Sequence, residues 1–118
     1  MFIFETFPVY QKAEAIYSEL LLILPSLKDK VLSDQLRRAM TSVVLNIAEG
    51  SGKFSPKEKK NYYLISRASV SECVAILRLL HLQTVITEQQ LTLWKEAFLV
   101  IHKMLSGMIK TFSDLLPH

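Results

Sequence analysis

The apolar positions of this chain recur at spacings of three and four, the period of a helix that buries one face. Four segments show the pattern. The first runs from about Pro8 to Leu24, with Ala13, Ile16, Leu20, Ile23 and Leu24 on one side. Phe7-Pro8 suits its opening turn, and Pro25 ends it. The second runs from about Ser33 or Asp34 to Glu49. Ser33 is a candidate cap for its free N–H groups, and Gly50 and Gly52 are natural stops. The third opens at Ser55-Pro56-Lys57-Glu58: a capping serine, a proline in the first turn and a glutamate three residues on. It runs to about His81 or Leu82. The fourth opens with a second capping box, Thr87-Glu88-Gln89-Gln90. Leu91, Trp94, Phe98, Ile101, Leu105, Met108, Ile109 and Phe112 keep helical spacing along it, and Pro117 closes the chain. Short connections make consecutive helices neighbours that run in opposite directions. The expectation is an all-α fold, an antiparallel up-down four-helix bundle, in one domain over residues 1–118.

The second helix carries more than a core stripe. On a wheel of roughly 100° per residue, Leu36, Met40, Val43, Val44 and Ile47 gather on the core side. Arg38, Ser42, Leu45 and Glu49 gather opposite, with Asn46 at the boundary beside Ala39 and Gly50. Leu45 next to the small Ser42 and Ala39 reads poorly as a solvated face and better as a second packing surface. The third helix has a broad side of Tyr62, Ile65, Ser66, Ser69, Cys73, Ile76, Leu77 and Leu80, with Glu72 at its edge. A carboxylate there needs a partner. Arg37 or Arg38 is the expected one, because a guanidinium pairs bidentately with a carboxylate. Arg38, Asn46, Glu49 and Glu72 are therefore a candidate polar network or subunit interface, and packing specificity is the commoner use of such groups. Arg38 and Glu49 lie eleven residues apart, roughly 16 Å along a helix. Each needs a partner on another helix or another subunit. The small residues Ser66, Ala68, Ser69, Ser71, Cys73 and Ala75, and Gly107 in the fourth helix, invite a close helix neighbour.

Composition changes the picture in one respect. Hydrophobic residues make up 50% of the 118, and mean hydropathy is +0.25. One small core cannot hide so much apolar surface, so the chain either enters a membrane or buries surface against copies of itself. No run approaches the ~20 apolar residues of a spanning helix. The opening "MFIFETF" has no basic region and no small-residue cleavage site, unlike a signal peptide. The expectation is a soluble, cytoplasmic protein that oligomerises. A single cysteine, Cys73, excludes an intrachain disulfide and a Cys-cluster zinc site, and reads as a small hydrophobe.

The net charge is +3, and the basic excess lies on the second helix and the turn after it. Arg37, Lys53, Lys57, Lys59 and Lys60 are candidate phosphate contacts. Phe54, Tyr62 and Tyr63 stand beside the lysines, where they either stack on bases or pack in the core. Solubility is the plainer use of such charge.

Catalytic chemistry is not legible. The chain contains no HExxH, P-loop, GxGxxG or nucleophile elbow. A di-iron bundle needs Glu-x-x-His pairs, and neither Glu49 nor Glu72 has a histidine three residues on. His81, His102 and His118 read as surface or packing histidines, and Met104, Met108, Trp94 and Phe98 as core. The expectation is a protein without catalytic residues, metal or cofactor.

The stretch "LRRAMTSVVLNIAEGSGKFSPKEKKNYYLISRASVSE" resembles the four-helix 23S rRNA intervening-sequence proteins, the S23 family. The resemblance is carried by Arg37-Arg38-Ala39, then Asn46-Ile47-Ala48-Glu49-Gly50, a basic turn, and Ser69 with Glu72. The family usually has Gly where this chain has Ala68, and often Arg in place of Lys53. "RLLHLQ" and "MLSGMIK" are also similar to the accessory variability proteins of diversity-generating retroelements, pentameric barrels that work with a reverse transcriptase and nucleic acid. The resemblance implies a homopentamer in which Arg38, Asn46, Glu49 and Glu72 pin helices or subunits together. The family name records where some members' genes lie. Two readings of function follow. One is a non-enzymatic homo-oligomeric scaffold that associates with RNA or DNA through the basic surface. The other is a protein-interaction scaffold, for example for a reverse transcriptase or another helical partner, without direct nucleic-acid binding.

Overall fold

The structure, a computed structural model, describes residues 1–117. It consists of four α-helices: α1 (Pro8–Leu21), α2 (Lys30–Ser51), α3 (Pro56–Leu82) and α4 (Glu88–Asp114). Single 3-10 turns, Ile3–Thr6 and Leu24–Ser26, flank α1, and no strand occurs among the described residues. Each α-helix touches two others: α1 packs on α2 and α4, and α3 packs on α2 and α4.

Two helix starts follow from local chemistry. Ser55 Oγ accepts from the Glu58 backbone N–H at 3.1 Å, and Pro56 opens α3. The Glu58 carboxylate accepts from the Ser55 hydroxyl and not from its backbone, so only half of that box forms. At α4 the box is complete, with Thr87 Oγ1 accepting from Gln90 N–H at 3.0 Å and Gln90 Oε1 from Thr87 N–H at 2.9 Å.

Three other boundaries differ from the sequence expectation. The α-helical part of α1 ends at Leu21, and Pro25 sits inside the following 3-10 turn, which still buries Leu24. Helix α2 begins a turn earlier than Ser33. Asp29 is the cap: its Oδ1 accepts from Leu32 N–H at 3.0 Å, and its Oδ2 accepts from Gln83 Nε2 at 3.0 Å. Those two bonds, Gln83 first, hold the Asp29 carboxyl below the usual carboxylate range. At its other end α2 passes through Gly50 to Ser51. The left-handed turn lies after α3, where Thr84 takes φ 62. The Thr84 and Val85 N–H groups close on the carbonyls of His81 and Leu80, the double bond of a Schellman cap.

The core is the product of the four apolar stripes. Val9, Ala13, Ile16 and Leu20 of α1 meet Leu36, Met40, Val43 and Ile47 of α2, Cys73, Leu77 and Leu80 of α3, and Phe98, Ile101 and Leu105 of α4, all buried. Each large side chain so buried is worth roughly 1.5–3 kcal/mol against leaving it in water. Chain ordering offsets most of the total.

Candidate assembly face and nucleic-acid interface

The second face of α2 divides into two parts with different fates. Ala39, Ser42, Asn46 and Gly50 follow one another at helical spacing and lie along α3. The helices approach closely there: a Cβ on Gly50 would stand 2.9 Å from both Tyr62 Cβ and Tyr63 Cε1. Small side chains allow that approach, and hydroxyls then bridge it. Ser66 Oγ donates to the Val43 carbonyl at 2.8 Å. Asn46 Nδ2 donates to Ser42 Oγ at 3.0 Å and to the Ser42 carbonyl at 2.9 Å. Ser42 and Ser69 share a bond of 2.7 Å, and Ser69 Oγ donates onward to the Ile65 carbonyl at 3.0 Å. Since Ser69 gives its one hydrogen to Ile65, Ser42 is the donor between the two serines. At the end of the seam Ser51 Oγ donates to the Ile47 carbonyl, which leaves the buried Tyr63 hydroxyl to donate to Ser51 at 3.1 Å. Burial raises the Tyr63 pKa. Among the described residues no buried side-chain nitrogen or oxygen lacks a partner.

Asn46 bonds to Ser42 on its own helix, and it is Ser42 that carries the link across to Ser69 of α3 within one chain. The other members of the expected network do not join it. Arg38 pairs with Asp34 at 3.0 Å on its own helix, with 80% of its side chain exposed. Glu49 stands 4.0 Å from Lys53, also one turn away. Glu72 is exposed, and neither Arg37 nor Arg38 reaches it. Ser69, Cys73 and Ile76 take the buried side of α3 and turn position 72 to solvent, so its charge stays hydrated without a partner.

Around these charges lies apolar surface that no element among the described residues covers. Leu45 is 56% exposed, Ile65 50%, Leu79 46% and Leu82 77%. On α3 the exposed residues Ile65, Ala68, Glu72, Ala75, Leu79 and Leu82 repeat at spacings of three, four, three, four and three, the rhythm of a helix-to-helix seam. Counting from the Ser42–Ser69 and Asp29–Gln83 bonds, Val31 comes about level with Leu79, Arg38 with Glu72 and Leu45 with Ile65.

The basic residues do not form one patch. Arg37 lies 16 residues before Lys53, about 24 Å along α2, and lines a separate depression with Lys30 and Asp34. Lys59 Nζ donates to the carbonyls of Gly50 and Ser51 at 3.4 and 3.2 Å and so closes the end of α2. Lys53 Nζ rests 5.4 Å from the centre of the Tyr62 ring. Lys57 is exposed and Lys60 half-buried. The aromatic residues separate too. Tyr63 is core, Tyr62 is half-buried beneath Lys53, and Phe54 at the tip of the turn is 100% exposed. The core side of α3 therefore belongs to Tyr63, not to Tyr62 or Ile65.

Other candidate groups are placed by packing. Burial, and then the neighbouring Glu72 carboxylate, push the Cys73 thiol up to about 12, which leaves no thiolate at neutral pH. His81 and His102 are half-buried on different helices, and His118 lies outside the described residues. No group of three His, Cys, Asp or Glu side chains that could hold a metal occurs among the described residues. A Cβ on Gly107 would have no neighbour within 4 Å, so no helix of the same chain approaches it among the described residues. No helix among the described residues is long and apolar enough to cross a membrane.

An all-helical four-helix chain with a hydroxyl-bridged pair at its centre is a small helical-bundle protein. This chain belongs to the family of 23S rRNA-intervening sequence proteins, whose model matches residues 5–107. Its fold is similar to the crystal structure of a protein of unknown function from the S23 ribosomal protein family of Bacteroides thetaiotaomicron. The TM-score is 0.81 at 25% identity, over 86% of this chain and 95% of that one. No curated protein matches it.

Proposed function

We propose that this chain is a non-enzymatic, homo-oligomeric scaffold that associates with RNA or DNA through the basic α2–α3 turn. The bundle is antiparallel and up-down; the bonds Asp29–Gln83, Ser42–Ser69 and Ser51–Tyr63 support opposed running of α2 and α3. Copies meet through the outer strip of those two helices, in the ring of five that the resemblance implies. The strip carries the proposal: Leu45, Ile65, Leu79 and Leu82 are exposed together with Arg38 and Glu72. Apolar surface rimmed by charge marks an interaction site. A ring then repeats Lys53, Lys57 and Lys60 in every copy, and avidity turns a modest charge into useful affinity. The family's name gives structured RNA a place among the probes.

The test has two stages. Light scattering of the purified chain should give a multiple of 13.5 kDa, and the double variant Leu45→Glu, Ile65→Glu should give the mass of one chain. A wild-type mass of one chain overturns the assembly. Labelled structured RNA and duplex DNA should bind the assembled protein with an affinity that falls steeply with salt. No binding at low salt removes nucleic acid from the proposal.

The second reading is a protein-interaction scaffold for a reverse transcriptase or another helical partner. It draws on the groove between α3 and α4, whose lining Val70, Val74, Phe98 and Leu99 share with Lys95 and His102. Co-purification of one protein in a salt-resistant complex, lost on Leu99→Glu, would favour it.

A further inference from the structure

Among the described residues Phe54 is the one ring with its whole surface in water, and it sits among lysines. The core shows that this fold buries large side chains where it has room; the tip of the α2–α3 turn holds Phe54 out of its reach. Its neighbours by sequence are Lys53 and Ser55, with Lys57 and Lys60 on the first turns of α3. Positions 57 and 60 are three apart and so share a side of the helix. Carboxylates face the same turn: Glu49 stands 4.0 Å from Lys53, and Glu58 is held by the Ser55 hydroxyl at 3.1 Å. Lys59 is occupied by the carbonyls that end α2.

We propose that this turn is a binding site for single-stranded nucleic acid, with Phe54 as the stacking platform and Lys53, Lys57 and Lys60 as the backbone contacts. The inference rests on the nucleic-acid reading above and narrows it. Bases in a duplex already stack on one another, whereas an unpaired base offers its face to an aromatic ring. One ring beside cations therefore selects for single strands, while lysines alone bind any polyanion. Such stacking is tolerant of sequence, because every base has a flat face. Phosphate contacts by Lys57 and Lys60 fix where the strand runs, and Phe54 determines whether it must be unpaired.

The experiment compares a labelled oligothymidine with a duplex of equal phosphate number, by fluorescence anisotropy across a salt series, on the full chain. Phe54→Ala should weaken oligothymidine binding about tenfold, within the range of one lost stacked base, and leave the duplex and the salt slope unchanged. Phe54→Trp should restore affinity. Its indole should be quenched on binding, against the background of Trp94, the chain's one tryptophan, which is buried. Lys57→Gln with Lys60→Gln should weaken both ligands and flatten the single-strand salt slope by about 0.7 per lysine lost. Equal loss of both ligands on Phe54→Ala, no loss of either, or a change in native mass overturns the stacking site while the general reading stands. A wild-type protein that binds neither ligand overturns both.

Discussion

On its inner flank α2 reaches across to α3 through the Ser42–Ser69 and Ser66–Val43 bonds, with Asn46 holding Ser42 from its own helix. On its outer flank, Arg38 and Glu49 reach only Asp34 and Lys53, each one turn away on or just past the same helix. Both flanks are polar, and the chemistry of the groups decides the difference. A hydroxyl or amide costs little to bury once its few bonds are made, and its size lets two backbones close up. A guanidinium or carboxylate costs several kcal/mol to bury, so it stays in water unless a partner is already held in place. The inner flank fixes how α2 is rotated against α3, and that rotation presents Leu45, Ile65 and Leu79 outward as a set. The outer strip is thus positioned by the seam beneath it.

The most severe way to break the seam is to empty it. Tyr63 is 1% exposed, packs against Phe112 with ring centres 5.9 Å apart, and donates to Ser51. Tyr63→Ala should cost about 3–5 kcal/mol, the range for removing a buried ring, measured by denaturant unfolding. Tyr63→Phe should cost only about 0.5–1.5 kcal/mol, since Ser51 keeps its bond to Ile47. A small loss for the alanine variant would mean that the end of the seam is not packed.

Gly50 tests the close approach itself. Alanine at an ordinary helix position gains about 1 kcal/mol over glycine. Here its Cβ would meet Tyr62 Cβ at 2.9 Å, an atom fixed to the α3 backbone. Overpacking of that kind costs about 1–3 kcal/mol, so Gly50→Ala should be destabilising on balance. Gly107 supplies the opposite sign. Its Cβ would meet nothing, and the residue is exposed in mid-α4. Gly107→Ala should therefore stabilise by about 0.5–1 kcal/mol. The same sign at both positions would sink the claim that α2 and α3 touch at Gly50.

What the sequence showed and what it hid divide along the same lines. Ser55 and Thr87 were legible because a cap is local chemistry. Asp29 was not, because Ser33 stands nearer to Leu36, where the apolar stripe begins; the burial of Leu32 one turn earlier comes from packing. Tyr62 and Tyr63 differ by one step on the wheel; Tyr63 packs on Phe112 and bonds to Ser51, whereas Tyr62 lies under Lys53. The second packing face was visible in Ala39 and Ser42, but Leu45, expected beside them, is 56% exposed. Its boundary was not, because Leu79 and Ile76 look alike in sequence, yet one is 46% exposed and the other 3%. Lys59 looked like every other lysine of the turn until the carbonyls of Gly50 and Ser51 came within its reach.

The smallest expected effect on unfolding belongs to the outer charges, and there mass is the sharper readout. Arg38 and Glu72 lie about level across α2 and α3 without pairing, and Arg38 gives its charge to Asp34 on an exposed surface. Exposed pairs contribute about 0–1 kcal/mol, so Arg38→Glu should leave the stability of the single chain within about 0.5 kcal/mol. Assembly is a different matter. If the strip meets its own copy, the Arg38 of one chain comes near the Glu72 of another, and like charges there oppose association. Arg38→Glu should then lower the native mass, and adding Glu72→Arg should restore it. Restoration requires the two positions to meet across an interface, because within one chain neither touches the other. A native mass that ignores both substitutions would place the contact between copies elsewhere on the bundle, and leave Leu45, Ile65 and Leu79 free for a different partner.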